Sequence, residues 1–173
     1  MKNFLILILV TTCLFSCNEK QRETNKTTDW SKQHSISYNQ EINEREAIQI
    51  ALFLDHHQEF KMTETETGLR YMIYKDSTGN ITPKIGQEVW LDLTIKLLDG
   101  TSCYTSDDSE DEVFIVDKSD KESGLNEIVK LLTVGDKAKI ILPSHLGHGL
   151  LGDFDMIPPQ SILLIDVQLN KIK

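Results

Sequence analysis

The 173-residue sequence lacks most of the motifs on which common catalytic and binding sites depend. It has three cysteines, and it contains no internal repeat, no phosphate-binding glycine loop, no Gly-x-Ser-x-Gly motif and no zinc spacing. Positive charge is also scarce, because 18 Lys and Arg stand against 27 Asp and Glu, which gives a net charge of −9. Surface charge of this sign disfavours nucleic acid and anionic lipid as partners. We therefore expect no nucleic acid, no cofactor and no metal ion.

The first residues carry the pattern of an export signal. Lys2 precedes the apolar run FLILILV, and the tetrapeptide LFSC follows it and ends at Cys17. The run is too short to span a bilayer, so we predict a signal peptide over residues 1–16. LFSC resembles the lipobox of bacterial lipoproteins, which implies that Cys17 is lipidated and that lipid attaches the protein to a membrane. An ordinary secretory peptide is the alternative.

Cysteine usage agrees with export. Cys13 lies in the predicted signal peptide and Cys17 would carry lipid, so Cys103 is the one cysteine left in the predicted mature chain. An intramolecular disulfide is then excluded. We interpret Cys103 as a small apolar core or pocket residue, with a reactive thiol as the alternative.

Two segments precede the predicted domain. Residues 17–41 are mostly polar and charged, so they cannot bury enough surface to offset the entropy of ordering, and we predict a polar tether. Residues 42–62 contain a loose capping box, Asn43-x-x-Glu46, followed by the apolar-rich stretch REAIQIALFLDHH. This pattern predicts a helical arm that packs on its own domain or on a second copy of the chain.

From residue 63 to residue 173 the pattern becomes that of strands. The clearest strand alternates Val89, Leu91, Leu93, Ile95 and Leu97 with more polar residues, and an Asp99-Gly100 turn follows it. Further strands are predicted over 68–75, 113–116, 137–143 and 161–172, and a short helix is predicted over 124–132. This order predicts one α+β domain in which a curved antiparallel sheet wraps around one short helix, preceded by the N-terminal arm.

Three segments, in order, resemble the FKBP-type peptidyl-prolyl cis-trans isomerases. GQEVWLDLTIKLLDGTSCYTS is similar to the family's second strand and Asp-Gly turn, and GLNEIVKLLTVGDKAKIILP is similar to its helix and the next strand. PSHLGHGLLGDFDMIPPQSILLIDVQL is the most specific segment, since a glycine-rich loop, Ile-Pro-Pro and an alternating strand coincide in order. Together with the lipobox, tether and arm, the sequence further resembles the gliding-motility-associated FKBP-like lipoproteins of Bacteroidetes.

The resemblance implies that the chain catalyses rotation about X-Pro bonds in an apolar cup. The barrier of about 18–20 kcal/mol comes from amide resonance, and a cup that strips water from the imide favours its less polar twisted state. In the family the cup is rich in aromatic residues and contains a carboxylate. The residues of this chain at the family's cup positions are Leu93, Tyr104, Leu125, His148, Ile157 and Ile165. We predict Phe114 as one further aromatic wall of the cup.

Departures from the family at these positions leave the catalytic strength open. Ile157 matches the family residue, whereas Leu93 and Ile165 replace aromatic residues. Cys103-Tyr104 stands at the family's aromatic-Asp pair, or Tyr104-Thr105 does if the turn is shifted by one residue, and the carboxylate is missing in both alignments. His148 replaces a tyrosine, and we interpret it either as a hydrogen-bond donor to the substrate carbonyl or as a solvated loop residue.

Two functions are compatible with these features. The first is a lipid-anchored outer-membrane lipoprotein that faces the periplasm and acts as a prolyl isomerase and folding helper on proline-containing exported polypeptides. The second keeps the fold but makes it a catalytically weak binding module, or a chaperone subunit of an envelope machine for gliding or secretion. A metal role is disfavoured, because His145-x-x-His148 lacks further ligands and the acidic run over 107–112 lacks the spacing of a calcium loop.

Overall fold

The structure is a computed structural model that describes residues 32–106 and 111–173. The predicted signal peptide, the lipidation site Cys17 and the tether up to residue 31 lie outside the described residues. A compact unit extends over residues 36–173. The elements, in chain order, are helix α1 (Lys32–His56), strands β1 (Thr63–Glu64), β2 (Arg70–Lys75), β3 (Glu88–Leu97), β4 (Ser102–Thr105) and β5 (Glu112–Ile115), helix α2 (Ser123–Val129), strand β6 (Lys137–Leu142), a 3-10 turn (Ser144–Leu146) and strand β7 (Leu163–Ile172).

The seven strands form one curved antiparallel sheet. Its strand order is β1-β2-β6-β7-β3-β4, and β5 also pairs with β3. The predicted α+β class, with a curved sheet around a short helix, is confirmed. Strands β1 and β4 were not predicted, because two residues are too few for a period and β4 is largely exposed on both faces.

Alternation along the two central strands builds the core. Val89, Leu91 and Leu93 of β3 are almost fully buried, and the facing strand β7 buries its alternate residues from Leu163 to Leu169. Helix α2 closes this core from one side. A Cβ on its Gly124 would lie 2.2 Å from Leu142 Cδ1, so the close approach of α2 to β6 requires a glycine there.

Helix α1 is longer than the predicted arm. It begins at Lys32, so residues 32–41, which the sequence analysis assigned to the tether, are helical. Its buried residues Ile42, Glu46 and Ile50 recur every four residues on one side. Ile50 packs against Ile141 and other residues on the face of the sheet opposite to α2. The arm therefore packs on its own domain, and in the described part of the chain neither helix is long and apolar enough to cross a membrane.

Candidate active site

A cavity of about 540 Å³ lies between β3, the end of β4, the segment before α2 and the loop after the 3-10 turn. Leu93 and Ile95 of β3 provide its apolar part. The remaining lining is polar or charged and consists of Tyr104, Thr105, Ser106, Asp111, Glu112, Lys121, Glu122, His148 and Asp153. The cavity thus has an apolar floor and an ionic mouth.

The predicted site residues divide between this cavity and the core below it. Leu93, Tyr104 and His148 line the cavity. Four others lie in the hydrophobic core and do not line the cavity, and each is at most 4% exposed: Phe114, Leu125, Ile157 and Ile165. They support the cavity from behind.

Cys103 lies beside the cavity and packs against the core. It is half-buried, and its Sγ donates a weak hydrogen bond to the carbonyl oxygen of Met156 at 3.6 Å. Burial raises the pKa of the Cys103 thiol. A raised pKa disfavours the nucleophilic thiolate, which supports the interpretation of Cys103 as a packing residue.

Charged side chains occupy part of the space where the sequence predicted an apolar cup. Lys121 Nζ lies 2.8 Å from Glu112 Oε1 and 3.5 Å from Glu122 Oε2, and His148 Nε2 lies 3.1 Å from Glu122 Oε1. We call these four residues the ionic network. Three of them, Glu112, Lys121 and Glu122, were not predicted as site residues, because they lie at a strand start and in the turn before α2, where no periodicity marks the inward direction.

His148 is engaged within this network and is not a free loop residue. Its Nε2 faces Glu122, so in the neutral ring with a proton on Nε2 the remaining nitrogen, Nδ1, is an acceptor. His148 can donate to a substrate carbonyl when it is protonated at both nitrogens, when Nε2 leaves Glu122, or in the neutral tautomer with the proton on Nδ1, which leaves two acceptors, Nε2 and Glu122 Oε1, facing each other. The donor role proposed for it from the sequence therefore requires a proton on Nδ1 or a movement of Nε2.

A carboxylate that was not among the predicted site residues, that of Asp153, enters the cavity from the loop before the Ile-Pro-Pro corner. Asp153 Oδ2 accepts a hydrogen bond from the Tyr104 hydroxyl, and Oδ1 accepts from the backbone N–H groups of Asp155 (2.9 Å) and Ile157 (2.8 Å). These bonds, that from Tyr104 above all, lower the pKa of Asp153 to about 2. The cavity thus contains a carboxylate next to Tyr104, and it comes from the loop that also carries His148.

We call residues 147–157, which carry Asp153, the flap. Gly152 has a φ of 70°, and a Cβ there would lie 2.1 Å from the carbonyl oxygen of Ile157, so the tight turn of the flap requires glycine. The flap also exposes apolar side chains, among them Leu151 (64% exposed) and Phe154 (86% exposed). Neither of these two side chains lines the cavity.

Helix α1 contacts the chain just beyond the flap. Arg45 donates a hydrogen bond to the side chain of Gln160 at 2.5 Å, and the Gln160 amide donates to the Tyr38 hydroxyl at 3.0 Å. The backbone N–H of Gln160 in turn donates to the carbonyl oxygen of Gly149 at 3.0 Å. The arm is therefore connected to the loop that carries His148 and Asp153.

The histidine pair His145 and His148 does not form one site. His145 Nε2 lies 3.1 Å from the carbonyl oxygen of Thr67, outside the cavity, whereas His148 lines it. Within residues 32–106 and 111–173, no three His, Cys, Asp or Glu side chains are arranged to hold a metal ion.

A curved antiparallel sheet around a short helix, with a cavity beside the loop that precedes an Ile-Pro-Pro corner, is the α+β architecture of FKBP-like domains. The model of the FKBP-type peptidyl-prolyl cis-trans isomerase family matches residues 79–170. This match covers more than half of the chain, so the protein belongs to the FKBP-type peptidyl-prolyl cis-trans isomerases.

Relatives of this family are similar along the same region. Peptidyl-prolyl cis-trans isomerase Fkbp12 of Drosophila melanogaster is 34% identical over 107 residues, which are 61% of this chain and 99% of that protein. FKBP-type peptidyl-prolyl cis-trans isomerase FkpA of Aeromonas hydrophila is 37% identical over 110 residues, 63% of this chain and 40% of the relative. FkpA of Buchnera aphidicola is 31% identical over 127 residues, 73% of this chain and 50% of the relative. The chain thus spans at most half of these two FkpA relatives.

Proposed function

We propose that the protein is a lipid-anchored prolyl isomerase that faces the periplasm from the outer membrane and helps exported proline-containing polypeptides to fold. The observation that carries the isomerase part is the cavity, in which the apolar floor formed by Leu93 and Ile95 adjoins the flap. Membership of the isomerase family supports the same activity. The lipid anchor and the outer-membrane location are supported by the lipobox-like tetrapeptide LFSC, whose last residue is Cys17.

The geometry suggests how the reaction is accelerated. The pyrrolidine ring of the substrate would lie on Leu93 and Ile95, where the imide loses water. The twisted amide has less charge separation than the planar one, so it loses less hydration on entering the cavity. No bond to the protein forms, and the role of the residues is to bind, orient and exclude water.

An exchange experiment tests the isomerase part. NMR exchange spectroscopy on an X-Pro peptide should show faster cis-trans exchange when the protein is added. His148→Ala, which removes a cavity wall, should lower kcat/KM several-fold. The matched control His145→Ala alters a histidine outside the cavity and should leave the rate unchanged. Absence of acceleration at high concentration of folded protein would contradict the proposal.

A separate experiment tests the anchor. Cells that express the full chain should incorporate labelled fatty acid into the protein and retain it in the outer-membrane fraction. Cys17→Ser should abolish the label and release the protein, whereas Cys13→Ser should not. Protease added to intact cells should leave the domain uncut if it faces the periplasm.

The ionic network favours a second candidate function. Charged residues inside the cavity reduce the apolar surface available to desolvate the imide, which would slow turnover more than binding. The second candidate is therefore a catalytically weak prolyl-binding module, or a chaperone subunit of an envelope machine for gliding or secretion, as in the gliding-motility-associated FKBP-like lipoproteins. It predicts peptide binding without measurable exchange, and stoichiometric envelope partners in affinity purification of the lipidated protein.

A further inference from the structure

Negatively charged side chains outnumber positively charged ones in the lining of the cavity. Among the described residues, four carboxylates line it, those of Asp111, Glu112, Glu122 and Asp153, together with one ammonium group, that of Lys121. With His148 neutral, the lining carries a net charge of −3. The whole chain has the same sign of charge, −9, so the potential of the rest of the protein adds to that of the cavity.

The pairing inside the cavity leaves part of this charge uncompensated. Lys121 is shared between Glu112 and Glu122, so one ammonium serves two carboxylates. Glu122 Oε2 is buried and accepts no hydrogen bond from the described residues. Asp153 accepts its three recorded hydrogen bonds from neutral donors, one hydroxyl and two backbone N–H groups.

The carboxylates lie at different depths, because the Glu122 side chain is largely buried whereas Asp111 is exposed. Leu93 and Ile95 form the floor, whereas Glu112 is 41% exposed at its side chain and lies at the mouth. A proline ring on the floor would place the side chains of neighbouring substrate residues at the mouth. A cationic neighbour would then meet carboxylates, and an anionic neighbour would be repelled.

We propose that the cavity selects prolyl segments in which a lysine or arginine flanks the proline. This selectivity rests on the proposed isomerase function and names its substrate class. Recognition by the exposed carboxylates at the mouth is electrostatic, so it is weakened by salt, whereas binding of the proline ring by the floor is not.

The test compares three peptides that differ only in the residues that flank proline, which are Lys, Ala or Glu. At low ionic strength, kcat/KM from NMR exchange should be about fivefold higher for the Lys peptide than for the Ala peptide, the effect of one charge pair near 4 Å in water, and the Lys-to-Glu ratio should be larger still because Glu is repelled. The ratio should fall toward one near 1 M salt, where the Debye length is about 3 Å. A ratio of one at low salt, or a preference for Glu, overturns the inference.

Two variants should change the ratio in opposite directions. Glu112→Gln removes a carboxylate at the mouth and frees Lys121, so the Lys-to-Glu ratio should fall. Lys121→Gln removes the one ammonium group, so the ratio should rise. Glu59→Gln changes an exposed carboxylate outside the cavity and should leave the ratio at the wild-type value. If Glu112→Gln does not fold, as judged by circular dichroism, the exposed Asp111→Asn replaces it with the same expected fall.

The outcomes separate this inference from the function on which it rests. No acceleration with any of the three peptides contradicts the isomerase function. Equal acceleration of all three keeps the isomerase function and overturns the charge selectivity. The charge selectivity is supported if kcat/KM is higher for the Lys peptide than for the Glu peptide, if salt lowers this ratio, and if Glu112→Gln lowers it while Lys121→Gln raises it.

Discussion

Glu46 of α1 accepts two hydrogen bonds from Ser144, one from its backbone N–H at 2.9 Å and one from its hydroxyl at 2.5 Å. Both residues are almost fully buried. Ser144 begins the 3-10 turn that leads into the flap, so this pair fixes the arm to the start of the loop that carries His148 and Asp153. The arm is therefore part of the structure that supports the cavity.

Replacing Glu46 should destabilise the domain. Glu46→Gln keeps the shape but replaces one carboxylate oxygen by an NH2 group, so the Ser144 hydroxyl must rotate to accept from it, and both buried hydrogen bonds lose the negative charge that strengthens them. A loss of about 1–3 kcal/mol in the free energy of unfolding is expected. Chemical denaturation monitored by circular dichroism measures it. Glu44→Gln makes the same change at an exposed position of α1 and should shift stability by less than about 0.5 kcal/mol.

Two glycines of the flap provide a matched pair. Both Gly149 and Gly152 have positive φ, so alanine is strained at either position. A Cβ meets nothing within 4 Å at Gly149 but lies 2.1 Å from a backbone oxygen at Gly152. Gly152→Ala should therefore disorder the flap and lower kcat/KM well below that of Gly149→Ala. Equal loss in both variants would show that backbone strain alone explains the effect.

The bond between Tyr104 and Asp153 predicts a pH dependence of the flap. The folded pKa of Asp153 is about 2, below its ordinary value of 3.8, so its stabilising effect is present above pH 3.8 and is lost as pH falls toward 2. Tyr104→Phe removes the largest cause of this shift and should raise the pKa of Asp153, as followed by carboxyl NMR titration. Tyr74→Phe, which removes a tyrosine bonded to Asp166 elsewhere, should leave it unchanged.

The hydrogen bond between Tyr104 and Asp153 can also be tested through the pKa of Tyr104. Hydrogen bonding to Asp153 is the main cause that raises the pKa of the Tyr104 hydroxyl. Asp153→Asn should therefore lower the pKa of Tyr104 toward 10.0, as measured by ultraviolet titration. An unchanged value would mean that the two side chains do not bond in solution.

The sequence predicts the elements of the core well and the mouth of the cavity poorly. Along β3 and β7 each second residue is buried, and this period is visible in the sequence because burial acts on every member of the strand. Glu112, Lys121 and Glu122 lie at element ends, where their direction depends on how β5 and α2 meet β3. That relation is set by long-range packing and not by local pattern, so the ionic network was not predictable.

The difference between local sequence pattern and long-range packing also explains where the candidate site residues lie. Leu93 lines the cavity, but Ile165, which faces Ile95 in the sheet register, is 1% exposed in the core. Alternation places both on the inner face of the sheet, and it does not separate a cavity wall from the packed layer beside it. That separation depends on which side chains cover each position from α2 and the flap.

Leu93 and Ile165 should therefore respond differently to an aromatic substitution. Leu93 is 5% exposed but lines the cavity, so the ring of Leu93→Tyr can extend into the cavity, and it should raise kcat/KM in the NMR exchange assay if the shortage of aromatic surface limits turnover. Ile165→Phe adds volume where no space is open, and overpacking should cost about 1–3 kcal/mol of stability without a gain in turnover. An unchanged rate in a stably folded Leu93→Tyr variant would show that the ionic network, and not the missing aromatic residue, sets the catalytic rate.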